Sequence, residues 1–178
     1  MDDRALMERI SQGDHGAFST LVKQHAPALD RFAVRLLLQH QQAEEVVQET
    51  LMRAWQRAGD YDAKRARLST WLHQIAHNLC VDILRRQKRE LPLANGAETA
   101  LTLPDATEYP TTKSETQDRV ANAIAKLNEH HRTALVLTYY QGLSNREVAQ
   151  IMDLSVRALE SLLVRARQQI KKILEESS

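Results

Sequence analysis

Ser144-Asn-Arg-Glu-Val-Ala-Gln-Ile-Met-Asp-Leu-Ser-Val-Arg-Ala-Leu-Glu-Ser-Leu-Leu-Val-Arg-Ala-Arg167 is the stretch that decides the fold. Ser144 followed by Glu147 makes a capping box at a helix start, and Gly142 just before it fits the C-cap of a preceding helix. Val148, Ala149 and Met152 give the first helix an inward face, and small Ala149 permits a close helix crossing. Asp153-Leu154-Ser155 then reads as a turn, with Asp153 tolerating the left-handed conformation. Ser155 caps a second helix with Leu159, Leu162, Leu163, Ala166, Ile170 and Ile173 inside. The pattern is a helix-turn-helix. The second helix of such a motif lies in the DNA major groove, so Ser155, Val156, Arg157, Glu160, Ser161 and Val164 are candidates for base edges. Arg165, Arg167, Lys171 and Lys172 are better placed for phosphates.

Upstream, the pattern predicts helices near 118–127 and over 128–141. Between residues 91 and 115 lie Pro92, Pro104 and Pro110 with Gly96, Thr99, Thr102, Thr107 and Thr111, and no sustained apolar period, which reads as a flexible linker. The expected organisation is a first domain over 1–90, a linker over 91–116 and a second domain over 117–178. In the first domain, Phe18, Leu21 and Val22 start a helix that Pro27 interrupts or kinks, and Phe32, Leu36 and Leu37 resume it. Val46, Val47, Leu51 and Trp55 make another stripe, with Glu44 and Glu45 at its N-terminal turn, where carboxylates suit the helix dipole. Residues 59–69 read as a loop capped by Ser69. From there Trp71, Leu72, Ile75, Leu79 and Ile83 carry a helix ending in Arg85-Arg86-Gln87-Lys88-Arg89.

Composition agrees. The chain has 178 residues, 43% hydrophobic and only 4% aromatic, with 5 Gly and 4 Pro, too little turn-rich and aromatic material for a sandwich or barrel. The expected fold is therefore all-α: two small helical domains joined by the linker. A single cysteine, Cys80, excludes an internal disulfide framework and fits a reducing compartment. With no apolar run of membrane-spanning length and an acidic opening, Met1-Asp2-Asp3-Arg4, a cytoplasmic protein is expected.

The net charge of +1 conceals a layout. Residues 1–60 carry −2, 61–90 carry +4, 91–120 carry −3 and 121–178 carry +2. Two basic segments separated by an acidic one suit a protein that touches nucleic acid with two separate pieces.

The ordered set Ala43-Glu-Glu-Val-Val-Gln-Glu-Thr-Leu51, Trp55, Ser69-Thr-Trp-Leu-His-Gln-Ile-Ala-His-Asn78, a basic helix end, a linker, and Gln141-Gly-Leu-Ser144 with Ala149, Leu154-Ser-Val156, Ser161 and Arg165-Ala-Arg167 resembles a bacterial RNA polymerase sigma factor. It is similar to the small extracytoplasmic-function group, which keeps only the second and fourth sigma domains. The resemblance covers roughly residues 14–90 and 117–174. It implies that Glu45, Gln48 and Glu49 bind the clamp helices of the polymerase largest subunit, their oxygens accepting from basic residues there. It implies that the segment Asp62–Asn78 opens and reads the −10 element. There Lys64, Arg65 and Arg67 hold phosphates, and Trp71, with Gln74 and Asn78, supports the melted strand and an extruded base. Arg85, Arg86 and Arg89 would track phosphates. The second domain would sit at the polymerase flap and position −35 DNA. At Glu160 and Leu162 the chain departs from the Lys and Arg that many members carry, so no −35 sequence follows. Glu160 could accept from a cytosine amino group or pair with Arg157 or Arg167. The resemblance further implies promoter DNA and an anti-sigma factor as partners, possible tethering at the inner membrane by a membrane-bound inhibitor, no small-molecule substrate, no cofactor and no catalysis.

Blander and rival readings stand beside these roles. An acidic trio alone fits a solvated helix face, the basic run fits a well-capped helix end, and Trp71 at helical spacing fits core packing. His73 and His77 at i and i+4, with Cys80 three further on, could in principle hold zinc. However, Gln74 stands where a protease base would be and no fourth ligand is evident. A stand-alone dimeric DNA-binding regulator with a sensor domain explains residues 142–172 equally well, but leaves Glu45, Gln48 and Glu49 and the basic segment around Trp71 without a purpose.

Overall fold

The computed structural model describes residues 2–90 and 114–178. Among these residues the chain is helical, in the order α1 (Asp3–Ser11), α2 (His15–Leu37), α3 (His40–Gln56), α4 (Leu68–Glu90), α5 (Glu115–Ala125), α6 (Glu129–Leu135), α7 (Asn145–Met152) and α8 (Val156–Glu176). A short 3₁₀ turn follows α3 and a π-helical segment, Val136–Tyr140, continues α6. Most of the linker expected over 91–116 lies outside the described residues.

In the first domain α2 packs on α1, α3 and α4, and α3 packs on α4. Asp14 starts α2 by accepting from the Ala17 amide at 3.0 Å, and Arg9 at the end of α1 ion-pairs with the same carboxylate at 2.6 Å. That pairing fixes the α1–α2 corner. The apolar faces of Leu6, Met7, Ile10, Leu21, Leu29, Phe32, Leu36, Leu68 and Leu72 are all but sealed from water, and their burial is the main favourable contribution to this small core.

The second domain packs α5, α6 and α7 against α8. Leu127, Leu135, Val136, Leu137, Val148, Ile151, Leu159, Leu163 and Ala166 fill its centre. Ser114, Asn128, Ser144 and Ser155 each cap the helix that follows, and each accepts a backbone N–H with its side-chain oxygen.

The helix-turn-helix details match the sequence reading. The capping box at Ser144 and Glu147 is present, Gly142 has φ +66°, and Asp153 is left-handed at φ 54°.

Several expected boundaries differ. α2 runs unbroken through Pro27. The ring sits on the exposed side of the helix, where the carbonyl that loses its N–H partner can take water instead. α3 begins at His40, so Glu44 and Glu45 stand beyond its first turn, and α4 begins at Leu68, so Ser69 is inside the helix and caps nothing. The helix expected over 128–141 changes to π hydrogen bonding at Val136, with the Gln141 amide reaching back to the Val136 carbonyl at 3.0 Å. This turn pushes Tyr139 and Tyr140 outward, to 55% and 40% exposure.

The two domains touch. α4 packs on α7, and α2 packs on α6 and on the π segment.

Candidate nucleic-acid interface

Three surfaces carry the residues singled out by sequence. On α3, Glu45, Gln48 and Glu49 are all exposed on one face, at i, i+3 and i+4. The inward side of the helix is filled by Ala43, Val46, Thr50 and Ala54, with the Thr50 hydroxyl donating to the Val46 carbonyl at 2.7 Å. Glu49 pairs with Arg53 one turn on at 2.7 Å, with both side chains substantially exposed. Such a pair holds the carboxylate in place without contributing much to stability. Met52, 53% exposed, extends the same face.

The second surface is the loop before α4 and the helix itself. Asp62 shapes the loop as an Asx turn by accepting from the Lys64 amide at 2.9 Å, and Arg65 hangs 3.9 Å from the same carboxylate. The Tyr61 hydroxyl donates to the Ala66 carbonyl at 3.2 Å. Its ring lies tilted against Trp71, with centroids 5.5 Å apart. Trp71 is half-buried, so it both packs and shows a face to solvent. Along α4 the positions 67, 71, 74, 78, 85 and 89 fall on one side of the helix. Arg67, Trp71, Gln74, Asn78, Arg85 and Arg89 thus form a stripe, with Arg86 beside it and every arginine of the stripe exposed.

The third surface is the start of α8. Ser155 is occupied in capping, accepting from the Ala158 amide at 3.1 Å, and Ser161 donates to the Arg157 carbonyl at 3.1 Å. Val156 and Val164 stand 41% and 47% exposed on the same face as Arg157, Glu160 and Ser161. The exposed part of each valine suits contact with a thymine methyl. Among the described residues no ion pair joins Glu160 to Arg157 or Arg167. The Arg167 guanidinium instead donates to the Tyr139 hydroxyl at 2.6 Å. Val120, Ile124, Leu135, Tyr139, Tyr140 and Ile170 line an apolar groove of about 390 Å³ beside it.

Sequence reasoning missed the residues that join the domains. Glu147, legible only as a capping residue, also reaches α4. Its Oε1 accepts from the Thr70 hydroxyl at 3.0 Å and lies 3.7 Å from Arg67, while its Oε2 accepts from the Ser144 amide at 2.8 Å. Burial by itself would raise the Glu147 carboxyl, but the hydrogen bonds from Ser144 and Thr70 and the Arg67 charge outweigh it, so the group is held below the usual carboxylate range. His73 is 3% exposed. Its Nδ1 donates to the Ser69 carbonyl at 2.7 Å, its Nε2 lies 3.1 Å from the Gln141 side-chain amide, and its ring meets Phe32 edge-on. Both of its nitrogens are engaged in this way. Cys80 is fully buried, and burial pushes its thiol up to about 12. Among the described residues no cluster of metal-binding side chains occurs, and no helix is long and apolar enough to cross a membrane.

An acidic exposed helix face, a basic stripe behind an aromatic pair and a helix-turn-helix lie on two small helical domains. Comparison with known proteins gives the family. Residues 21–90 match the Sigma-70 region 2 model and residues 117–170 the Sigma-70, region 4 model. The chain is 32% identical over 182 residues to the RNA polymerase sigma-H factor of Pseudomonas aeruginosa, covering 97% of this chain and 94% of that one. It is 33% identical over 180 residues to the ECF RNA polymerase sigma-E factor of Haemophilus influenzae, covering 96% and 94%. Among solved structures it is similar to CnrH in complex with the cytosolic domain of CnrY, at TM-score 0.73, 29% identity and 99% of each chain. It is also similar to the sigma factor RpoE in complex with the anti-sigma factor NepR from Bartonella quintana, at TM-score 0.72 and 27% identity, covering 89% of this chain and 96% of that one. The chain belongs to the extracytoplasmic-function group of bacterial RNA polymerase sigma factors.

Proposed function

We propose that this sigma factor docks on core polymerase through Glu45, Gln48 and Glu49, opens and reads −10 DNA with the segment Asp62–Asn78, and positions −35 DNA with α8. The observation that carries the assignment is the exposed face of α3. Three hydrogen-bond acceptors stand there on a helix whose inward side already makes the core, as a docking face for basic residues requires. Lys64, Arg65 and Arg67 neutralise phosphates ahead of α4, Trp71 with Gln74 and Asn78 supports the melted strand, and Arg85, Arg86 and Arg89 follow the backbone. On α8, Arg157, Glu160, Ser161 and Val164 meet base edges while Arg165 and Arg167 hold phosphates, with Ser155 fixing the helix start.

The chain performs no chemistry of its own in this reading: it is a specificity subunit working in the cytoplasm. An anti-sigma factor restrains it, as the Bartonella neighbour, solved with such an inhibitor, supports. The exposed Tyr139 and Tyr140 beside the apolar groove offer aromatic anchors for an inhibitor of this kind.

Run-off transcription from a genomic promoter library tests the reading. With core polymerase and the wild-type chain, discrete start sites are expected; with a Glu45→Ala, Gln48→Ala, Glu49→Ala variant they should fall to background. Unaided binding to duplex DNA with no effect of core polymerase would instead establish a stand-alone regulator.

A further inference from the structure

Each domain fills its own apolar core, yet much of the seam between them is polar. Thr70 and His73 of α4 are 0% and 3% exposed, beneath the second domain. Across the seam Glu147 meets Thr70 and Arg67, Gln141 meets His73, Glu129 meets Lys88 at 3.0 Å, and the Arg132 guanidinium donates to the Leu36 carbonyl at 2.7 Å. Polar groups at such a seam are satisfied when the domains are together and can be satisfied by water when they part, which is the composition of a separable interface.

Glu147 divides its two oxygens between the domains. Oε2 stays with Ser144 at the start of α7, and only Oε1 reaches out to Thr70 and Arg67. It can therefore release α4 without uncapping its own helix.

We propose that Glu147 is a built-in competitor for DNA phosphate, which in the closed chain takes the Arg67 guanidinium and the Thr70 hydroxyl that turn to the nucleic-acid backbone once the domains part. The proposal rests on the reading of Asp62–Asn78 as the −10 segment and adds Thr70 to it. A carboxylate and a phosphodiester present the same feature, an anionic oxygen accepting charge-assisted hydrogen bonds. In the closed chain Glu147 sets a negative charge beside Arg67 and keeps the buried Thr70 hydroxyl for itself, so domain closure and DNA engagement oppose each other, and the opposition is reciprocal by linkage. Arg67 is 75% exposed and 3.7 Å from its partner, so the competition is modest in size.

The test uses the full chain and fluorescently labelled single-stranded DNA of mixed sequence. Closure is read from zero-length carbodiimide coupling of Lys88 to Glu129, identified by mass spectrometry. The wild-type chain should give this cross-link, and saturating DNA should suppress it. A Gln141→Ala, Glu147→Gln variant should give less cross-link and bind the DNA about threefold tighter, since the open fraction sets the apparent affinity. Adding Arg67→Ala should remove that gain. If the double variant fails to fold by circular dichroism, Glu147→Gln alone, which removes the charge facing Arg67 and Thr70, carries the same comparison. The proposal is overturned by a wild-type chain that gives no cross-link, by DNA that leaves the cross-link undiminished, or by variants whose cross-link or affinity does not change. Run-off transcription by the wild-type chain separates the two levels: initiation with a failed coupling test removes the competitor and keeps the sigma assignment, whereas no initiation removes the reading on which both rest.

Discussion

Arg132 sits where two helices end. Its guanidinium donates to the carbonyls of Ala125 at 3.2 Å, the last residue of α5, of Leu127 at 2.8 Å, just beyond it, and of Leu36 at 2.7 Å, in the last turn of α2. Carbonyls at helix ends lack intrahelical partners and carry the negative end of the dipole, so a cation there satisfies several at once. With 8% of the residue exposed, water cannot replace it in the folded chain. Arg132→Met should cost about 2–4 kcal/mol in chemical denaturation through stranded carbonyls, and a loss under half a kcal/mol would show that the carbonyls find other partners. Cys80 makes a different point about burial. With its thiol pushed up to about 12 and none of its surface exposed, it should resist iodoacetamide at pH 8 in the native protein and react once guanidinium unfolds the chain. Rapid native alkylation would mean that α4 opens readily.

At the scale of elements, the left-handed residues separate turn chemistry from packing. Leu38, at φ 59°, ends α2 with a buried side chain, so the steric cost of its conformation is offset by the apolar surface it covers. Asp153, at φ 54°, ends α7 with its side chain in solvent and has no such compensation. Asp153→Gly should therefore be neutral to slightly stabilising, whereas Asp153→Val should cost about 1–2 kcal/mol, because a β-branched side chain is strained there. Thermal melts of the two variants should move apart, and a valine variant as stable as the glycine one would refute the assigned geometry. The π segment over Val136–Tyr140 is an element of another sort: nothing in the apolar spacing of 128–141 distinguishes it from regular helix, and it packs on α2 and α7.

For the whole molecule, the histidines tie stability to pH. Burial lowers His73, His77 and His25 below their ordinary value of 6.5, partly offset at His73 by hydrogen bonds to Ser69 and Gln141. From α4 His73 opposes and from α1 Asp3 favours protonation of His25, and from α6 His130 opposes and Glu129 favours protonation of His77. A histidine lowered on folding binds fewer protons in the folded state, so its neutral form favours the fold fully above 6.5, and stability falls as pH drops through that value. The melting temperature should decline between pH 7.5 and 5.5, less steeply in His73→Asn, and a flat profile for the wild-type chain would contradict the burial of these rings. How far the sequence reached follows from where its signals are local. The helix-turn-helix, its caps, the left-handed Asp153, the all-α class and the exposure of Glu45, Gln48 and Glu49 were legible, because capping and 3.6-residue periodicity act over a few neighbouring residues. The start of α4, the continuity of α2 through Pro27, the second duty of Glu147 and the buried place of Arg132 were decided only in the tertiary structure. The last two depend on groups far apart along the chain, Arg132 and Leu36 or Glu147 and Thr70, whose meeting is set by how the helices pack and leaves no periodic trace in the sequence.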